Sequence, residues 1–242
     1  MAATSEPPQR PARRGPPRLM AISDRGRLGR GSFADWVAAL AHCGVDTLQV
    51  REKDLDDRAL VALVAAARQA APPLLRIVVN GRIDIALAAG ADGVHLPCDG
   101  VVPALVRQNF GAGILVGCSA HHPGEVARAA EAGADYATFG PVWDTPSKRA
   151  FGPPPGLEGL RWAAACGLPV LALGGVTPAR LAAAAAAGAA GAAAIRAFVR
   201  TSDAARMAAA AALAWPHDGR ADTLTLPAYR PEPGSKPAAE IP

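Results

Sequence analysis

Aromatic side chains make up only 5% of this 242-residue chain, although half of it is hydrophobic. The core must therefore be built from Ala, Val, Leu and Ile, which suits helices layered around a sheet of small residues. Long apolar runs are missing too. No stretch of about 18 apolar residues is free of Gly or charge, and the N-terminus has arginines but no apolar signal core, so neither membrane spanning nor secretion is expected. The four cysteines, Cys43, Cys98, Cys118 and Cys166, lie far apart with no paired spacing. That excludes the usual zinc and redox motifs and points to a reducing cytoplasm. The net charge of +4 is modest. Four of the basic residues sit in the opening RPARRGPPR and the rest are scattered, without the aromatic interleaving of a nucleic-acid surface, so the field fits a small phosphorylated ligand about as well as it fits RNA.

What is present is regular. Short aliphatic runs alternate with Ala-rich stretches of good helix formers, the signature of alternating strands and helices. Four segments, CGVDTLQV, AGADGVHL, AGADYATF and AGAAGAAAI, each place a Gly just before an apolar run, as expected where a helix ends on a left-handed residue and feeds a strand. Counting from these anchors predicts strands at 19–23, 46–51, 75–80, 93–96, 114–119, 136–140, 170–174 and 190–195. Eight strands with helical intervals predict a single eight-stranded parallel (β/α)8 TIM barrel over residues 18–215, with loosely ordered tails at 1–17 and 216–242. A doubly wound open sheet is the rival.

Catalytic groups of such barrels lie at the carboxyl ends of the strands. Gln49, Arg51 and Lys53 end the second strand and Asn80 the third, so that several donors can converge on a phosphate or carboxylate; a merely solvated basic pair is the bland alternative. His95 and Asp99 fall at the fourth strand, where His95 also fits a hydrogen-bonded core position. Ser119, His121 and His122 follow at the fifth, with His121 the better candidate for proton transfer and His122 placed to begin the next helix. The segment from Gly140 to Gly156 carries Thr145, Ser147 and Lys148 and reads as a loop over the barrel mouth or as a plain linker. Gly174 and Gly175, followed by Thr177 as N-cap and Pro178, form an anion cradle or a simple turn. Ile195 and Arg196 end the eighth strand beside them.

The motifs QVREK, VVNGRIDIALAAGADGVHLP, GCSAHH, GPVWDTPSK and LALGGVTPARL together resemble the thiamine-phosphate synthase and thiazole tautomerase superfamily, over about residues 18–199. The resemblance implies that Gln49, Arg51, Lys53, Asn80, Ser119 and Lys148 hold a pyrimidine diphosphate, and that Thr145, Ser147, Gly175, Ile195 and Arg196 hold a thiazole phosphate. It also implies that the synthase branch holds Mg2+ with two aspartates. Here Gly81 stands at the first of those places, and Asp99 is displaced by one position from the second, now Gly100. These departures favour the tautomerase branch, in which His121 moves a proton to aromatise a thiazole carboxylate phosphate without any cofactor. Thiamine-phosphate synthase, with Asp99 helping to recruit Mg2+, is the alternative, favoured by the intact QVREK. A regulator that binds a phosphorylated ligand without turnover is the alternative of another class. A homo-oligomer is allowed, and neither nucleic acid nor membrane is an expected partner.

Overall fold

The computed structural model describes residues 15–29, 31–146, 149 and 152–216. Most of both expected tails falls outside these residues. The strands are β1 (Leu19–Ile22), β2 (Thr47–Val50), β3 (Arg76–Asn80), β4 (Gly93–Leu96), β5 (Leu115–Ala120), β6 (Tyr136–Phe139), β7 (Val170–Leu173) and β8 (Gly191–Ala194). They form a closed barrel in sequence order, and β1 pairs in parallel with β8 to complete the ring. The open-sheet rival is thereby excluded, and each expected strand lies within two residues of an observed one.

The helices are α1 (Phe33–His42), α2 (Asp57–Ala70), α3 (Ile83–Ala88), α4 (Pro103–Phe110), α5 (Pro123–Glu131), α6 (Gly156–Ala164), α7 (Leu181–Ala186) and α8 (Thr201–Ala214). Because successive strand residues face opposite sides, Leu48 and Val50 or Val94 and Leu96 pack outward against the helices. Met20, Ile22, Val78, Tyr136, Leu171 and Ala193 fill the interior instead. Tyr136 is the bulky member of that layer, and it needs a missing side chain opposite. A Cβ on Gly117 would come within 2.1 Å of the Tyr136 ring.

The four-fold sequence repeat has a structural meaning at the amino ends of the strands. Gly44, Gly90, Gly133 and Gly188 all take positive φ, between 69° and 92°, where L-residues are strained. Two residues later stand Asp46, Asp92, Asp135 and, in the last repeat, Ala190. Each aspartate precedes an even-numbered strand and reaches back to the strand before it. Asp46 accepts from the backbone N of Arg18 and Leu19 at β1, Asp92 from Ile77 in β3, and Asp135 from Val116 in β5. Each also pairs with an arginine: Asp46 with Arg76, Asp92 with Arg68 and Asp135 with Arg107. At β7 and β8, Ala190 offers no such carboxylate.

Candidate functional site

At the carboxyl ends of the strands lies a cavity of about 940 Å3, to which all eight strands or their following loops contribute. Gln49, Arg51, Lys53, Asn80, Asp99, Ser119, His121, Thr145, Gly174, Gly175, Ile195 and Arg196 all line it. The positions expected from sequence are thus brought together, while Ser147 and Lys148 lie outside the described residues.

Gln49 projects from β2 into the barrel and is 2% exposed. Its Nε2 is buried and has no hydrogen-bond partner among the described residues. An unmade buried hydrogen bond costs about 1–3 kcal/mol, so this donor is left open to a ligand or a water molecule. Two residues on, the Arg51 backbone N donates to Ser23 Oγ at 2.9 Å, which ties the start of the cationic loop to the end of β1. Across the ring, Arg196 donates to Thr145 Oγ1 at 3.3 Å, joining the eighth strand end to the loop after β6.

The two neighbouring histidines divide their work. His122 is the N-cap of α5: its Nδ1 accepts from the backbone N of Gly124, and Glu125 returns the bond in a capping box. The His121 backbone N also donates to Glu125, at 2.6 Å, while its Nδ1 meets the carbonyl oxygen of Gly140. A carbonyl only accepts, so Nδ1 carries the proton in that contact, and a neutral ring then has its lone pair on Nε2. His95, by contrast, is enclosed within β4. Burial first, and the charge of Arg51 second, push its pKa down to about 3. It is therefore neutral near pH 7 and makes no ordinary titrating acid or base.

Sequence reasoning missed several lining residues, among them three charged ones. Arg180 donates to the carbonyl oxygen of Gly175 and stacks 5.3 Å from the centroid of the Trp143 ring, a cation–π contact that fixes its guanidinium beside the glycine pair. Its signal was its place one short turn after Thr177 and Pro178. Thr177 does precede a 3-10 turn, but its side chain makes no capping bond. Asp24 and Arg27, paired at 2.6 Å after β1, also line the cavity.

The residues fit a magnesium ion only in part. Gly81 supplies no ligand and takes φ +68°, and a Cβ on Gly100 would come within 2.7 Å of Pro97 Cγ. Asp99 does line the cavity. Among the described residues no group of three His, Cys, Asp or Glu is arranged to hold a metal. Of the two places compared, only the second has a carboxylate beside it, Asp99, and an ion there would need substrate phosphate oxygens and water to complete its shell, which is how Mg2+ is commonly bound.

The chain is 43% identical over 165 residues to a putative thiamine-phosphate synthase of Geobacter sulfurreducens, covering 67% of this chain and 78% of that one. It is 40% identical over 166 residues to a thiamine-phosphate synthase of Roseiflexus castenholzii, covering 66% and 72%. A thiamine phosphate pyrophosphorylase from Pyrococcus furiosus superposes with a TM-score of 0.73 at 25% identity, over 81% of this chain and 96% of its own. These names support the synthase, the alternative in the sequence reading, and give the tautomerase branch no specific support. The family described as thiamine monophosphate synthase matches residues 19–198, and the chain belongs to that family of thiamine-biosynthesis enzymes.

Proposed function

We propose that this barrel is a thiamine-phosphate synthase, joining a pyrimidine diphosphate to a thiazole phosphate with release of pyrophosphate. The observation that carries the reading is a single cavity with two groups of cationic, amide and glycine residues suited to anions. Arg51, Lys53, Gln49 and Asn80 stand at the ends of β2 and β3, while Gly174, Gly175, Arg180 and Arg196 stand at the ends of β7 and β8. In the ring of eight strands β3 and β7 are opposite, while β2 and β8 stand on either side of β1. The volume is at the upper end of the usual range for small-molecule sites, about 300–1,000 Å3, which suits two rings with their anionic tails pointing apart. The relatives' names favour the same reading.

In this arrangement Arg51 and Lys53 hold the diphosphate and stabilise the negative charge that grows on it as its C–O bond breaks. Arg196 and the Gly174–Gly175 turn anchor the thiazole phosphate, so that the ring nitrogen faces the carbon losing the diphosphate and forms the new C–N bond there. Mg2+, when bound by Asp99 together with phosphate oxygens, supplies further neutralisation of the leaving group.

One observation favours a second reading, thiazole tautomerase: the contact of His121 with Gly140 leaves its Nε2 able to take a proton. A paired assay separates the two. Metal-dependent formation of thiamine phosphate and pyrophosphate from both substrates supports the synthase. Aromatisation of the thiazole carboxylate phosphate, without that product, supports the tautomerase. Ligand binding with no turnover in either assay supports a non-catalytic regulator.

A further inference from the structure

Inside the barrel, three side chains from consecutive strands form a polar chain that ends at the cavity. Tyr136, on β6, is fully buried, and among the described residues its hydroxyl has one hydrogen-bond contact, His95 Nδ1 at 3.1 Å. On the other side of the imidazole, His95 Nε2 lies 3.0 Å from Ser119 Oγ and 3.4 Å from Thr138 Oγ1. Ser119 and His95 both line the cavity.

The direction of the chain follows from the Tyr136 hydroxyl, because Ser119 and Thr138 line the cavity and can turn their own protons there. The Tyr136 hydroxyl proton has His95 Nδ1 as its acceptor, and a phenol left without one would incur the desolvation penalty of an unmade bond. Nδ1 is then a lone pair, so the neutral ring carries its proton on Nε2. That N–H donates to Ser119 Oγ, which frees the serine's own proton to turn toward the cavity. The neutral state that this requires agrees with the depressed pKa of the ring.

We infer that His95 is a positioning residue: Tyr136 fixes it as the Nε2–H tautomer, and it in turn holds Ser119 as a hydrogen-bond donor aimed at a substrate anion. This role rests on the proposed anion-binding cavity but does not depend on which of the two reactions takes place there.

Two measurements on the full chain test it. Long-range proton–nitrogen NMR reads the His95 tautomer directly, and calorimetric titration with inorganic pyrophosphate reads the anion site. The expected results are an Nε2–H ring in the native protein, its loss in Tyr136→Phe, and a roughly three- to tenfold weaker pyrophosphate affinity in that variant, the scale of one hydrogen bond. His95→Gln, whose amide offers one acceptor and one donor, is expected to bind more tightly than His95→Leu, with thermal melting confirming that each variant is folded. An Nδ1–H tautomer in the native protein overturns the inference. So does unchanged pyrophosphate affinity in Tyr136→Phe, or equal affinities in the two His95 variants. If the native protein does not bind pyrophosphate, the anion-site reading fails and the positioning role fails with it, whereas the NMR result judges the tautomer independently.

Discussion

Gln49 buries an amide nitrogen that no other described residue engages. Gln49→Leu removes that unsatisfied donor at nearly constant volume, so the melting temperature is expected to hold or rise while pyrophosphate affinity falls about ten- to a hundredfold, on the scale of a hydrogen bond to a charged group. Melting and titration of the same preparation check both. His121→Asn is the residue-level discriminator of the two reactions. General acid–base catalysis contributes about 100- to 10,000-fold, so the tautomerase reading expects that loss of turnover, with phosphate binding retained. The synthase reading expects a much smaller loss of thiamine phosphate formation. His95 carries a pH dependence of its own. Its folded pKa, about 3, lies below its ordinary value of 6.5, so between these values the unfolded chain binds the extra proton. Stability is fully present above about pH 6.5 and is lost as pH falls toward 3, with a slope of up to about 1.4 kcal/mol per pH unit from this group. Denaturant melts at pH 7, 5 and 4 measure the slope, and His95→Gln is expected to flatten it.

At the scale of elements, the aspartates before β2, β4 and β6 hold the amino ends of the strands that precede them. Asp135 and Arg107 are the best enclosed of these pairs, at 15% and 17% side-chain exposure. Asp135→Ala leaves Arg107 without that partner and the Val116 N–H without its carboxylate acceptor, a loss expected to cost about 2–3 kcal/mol. Turnover should be unaffected below the new melting point, because this end of the barrel is remote from the cavity. Equilibrium unfolding and a kinetic assay check the two halves. These clasps show where sequence reasoning stopped. The glycines of the repeat were legible because a helix C-terminus demands a left-handed residue, but the aspartates two positions later gain their meaning only from a neighbouring strand and an arginine 24 to 30 residues away. Gln49, Asn80 and Ser119 could be placed at the cavity because alternation and strand ends fix their direction. Arg180 was missed because its site role depends on a turn folding back over Trp143, which no local spacing encodes.

For the whole molecule, the division of labour follows the strand direction: the aspartate clasps stand at the amino ends, and the cavity with its donors and cations stands at the carboxyl ends. Gly117→Ala tests how tightly the interior joins them. The added methyl would meet the Tyr136 ring at 2.1 Å, so Tyr136 must move, and overpacking of this kind typically costs about 1–3 kcal/mol. If the chain from Tyr136 to Ser119 is displaced with it, pyrophosphate affinity falls in the same variant, an effect that a purely local strain would not produce. The absence of a carboxylate at Ala190 has a different consequence. Of the four strand pairs that begin with an odd-numbered strand, β7–β8 is the one without an aspartate clasp among the described residues, so of these four it is expected to open first. Amide hydrogens at the start of β7 should therefore exchange with solvent sooner than those of Leu19, Ile77 and Val116, and the protein's slow breathing would begin on the side where the glycine cradle stands.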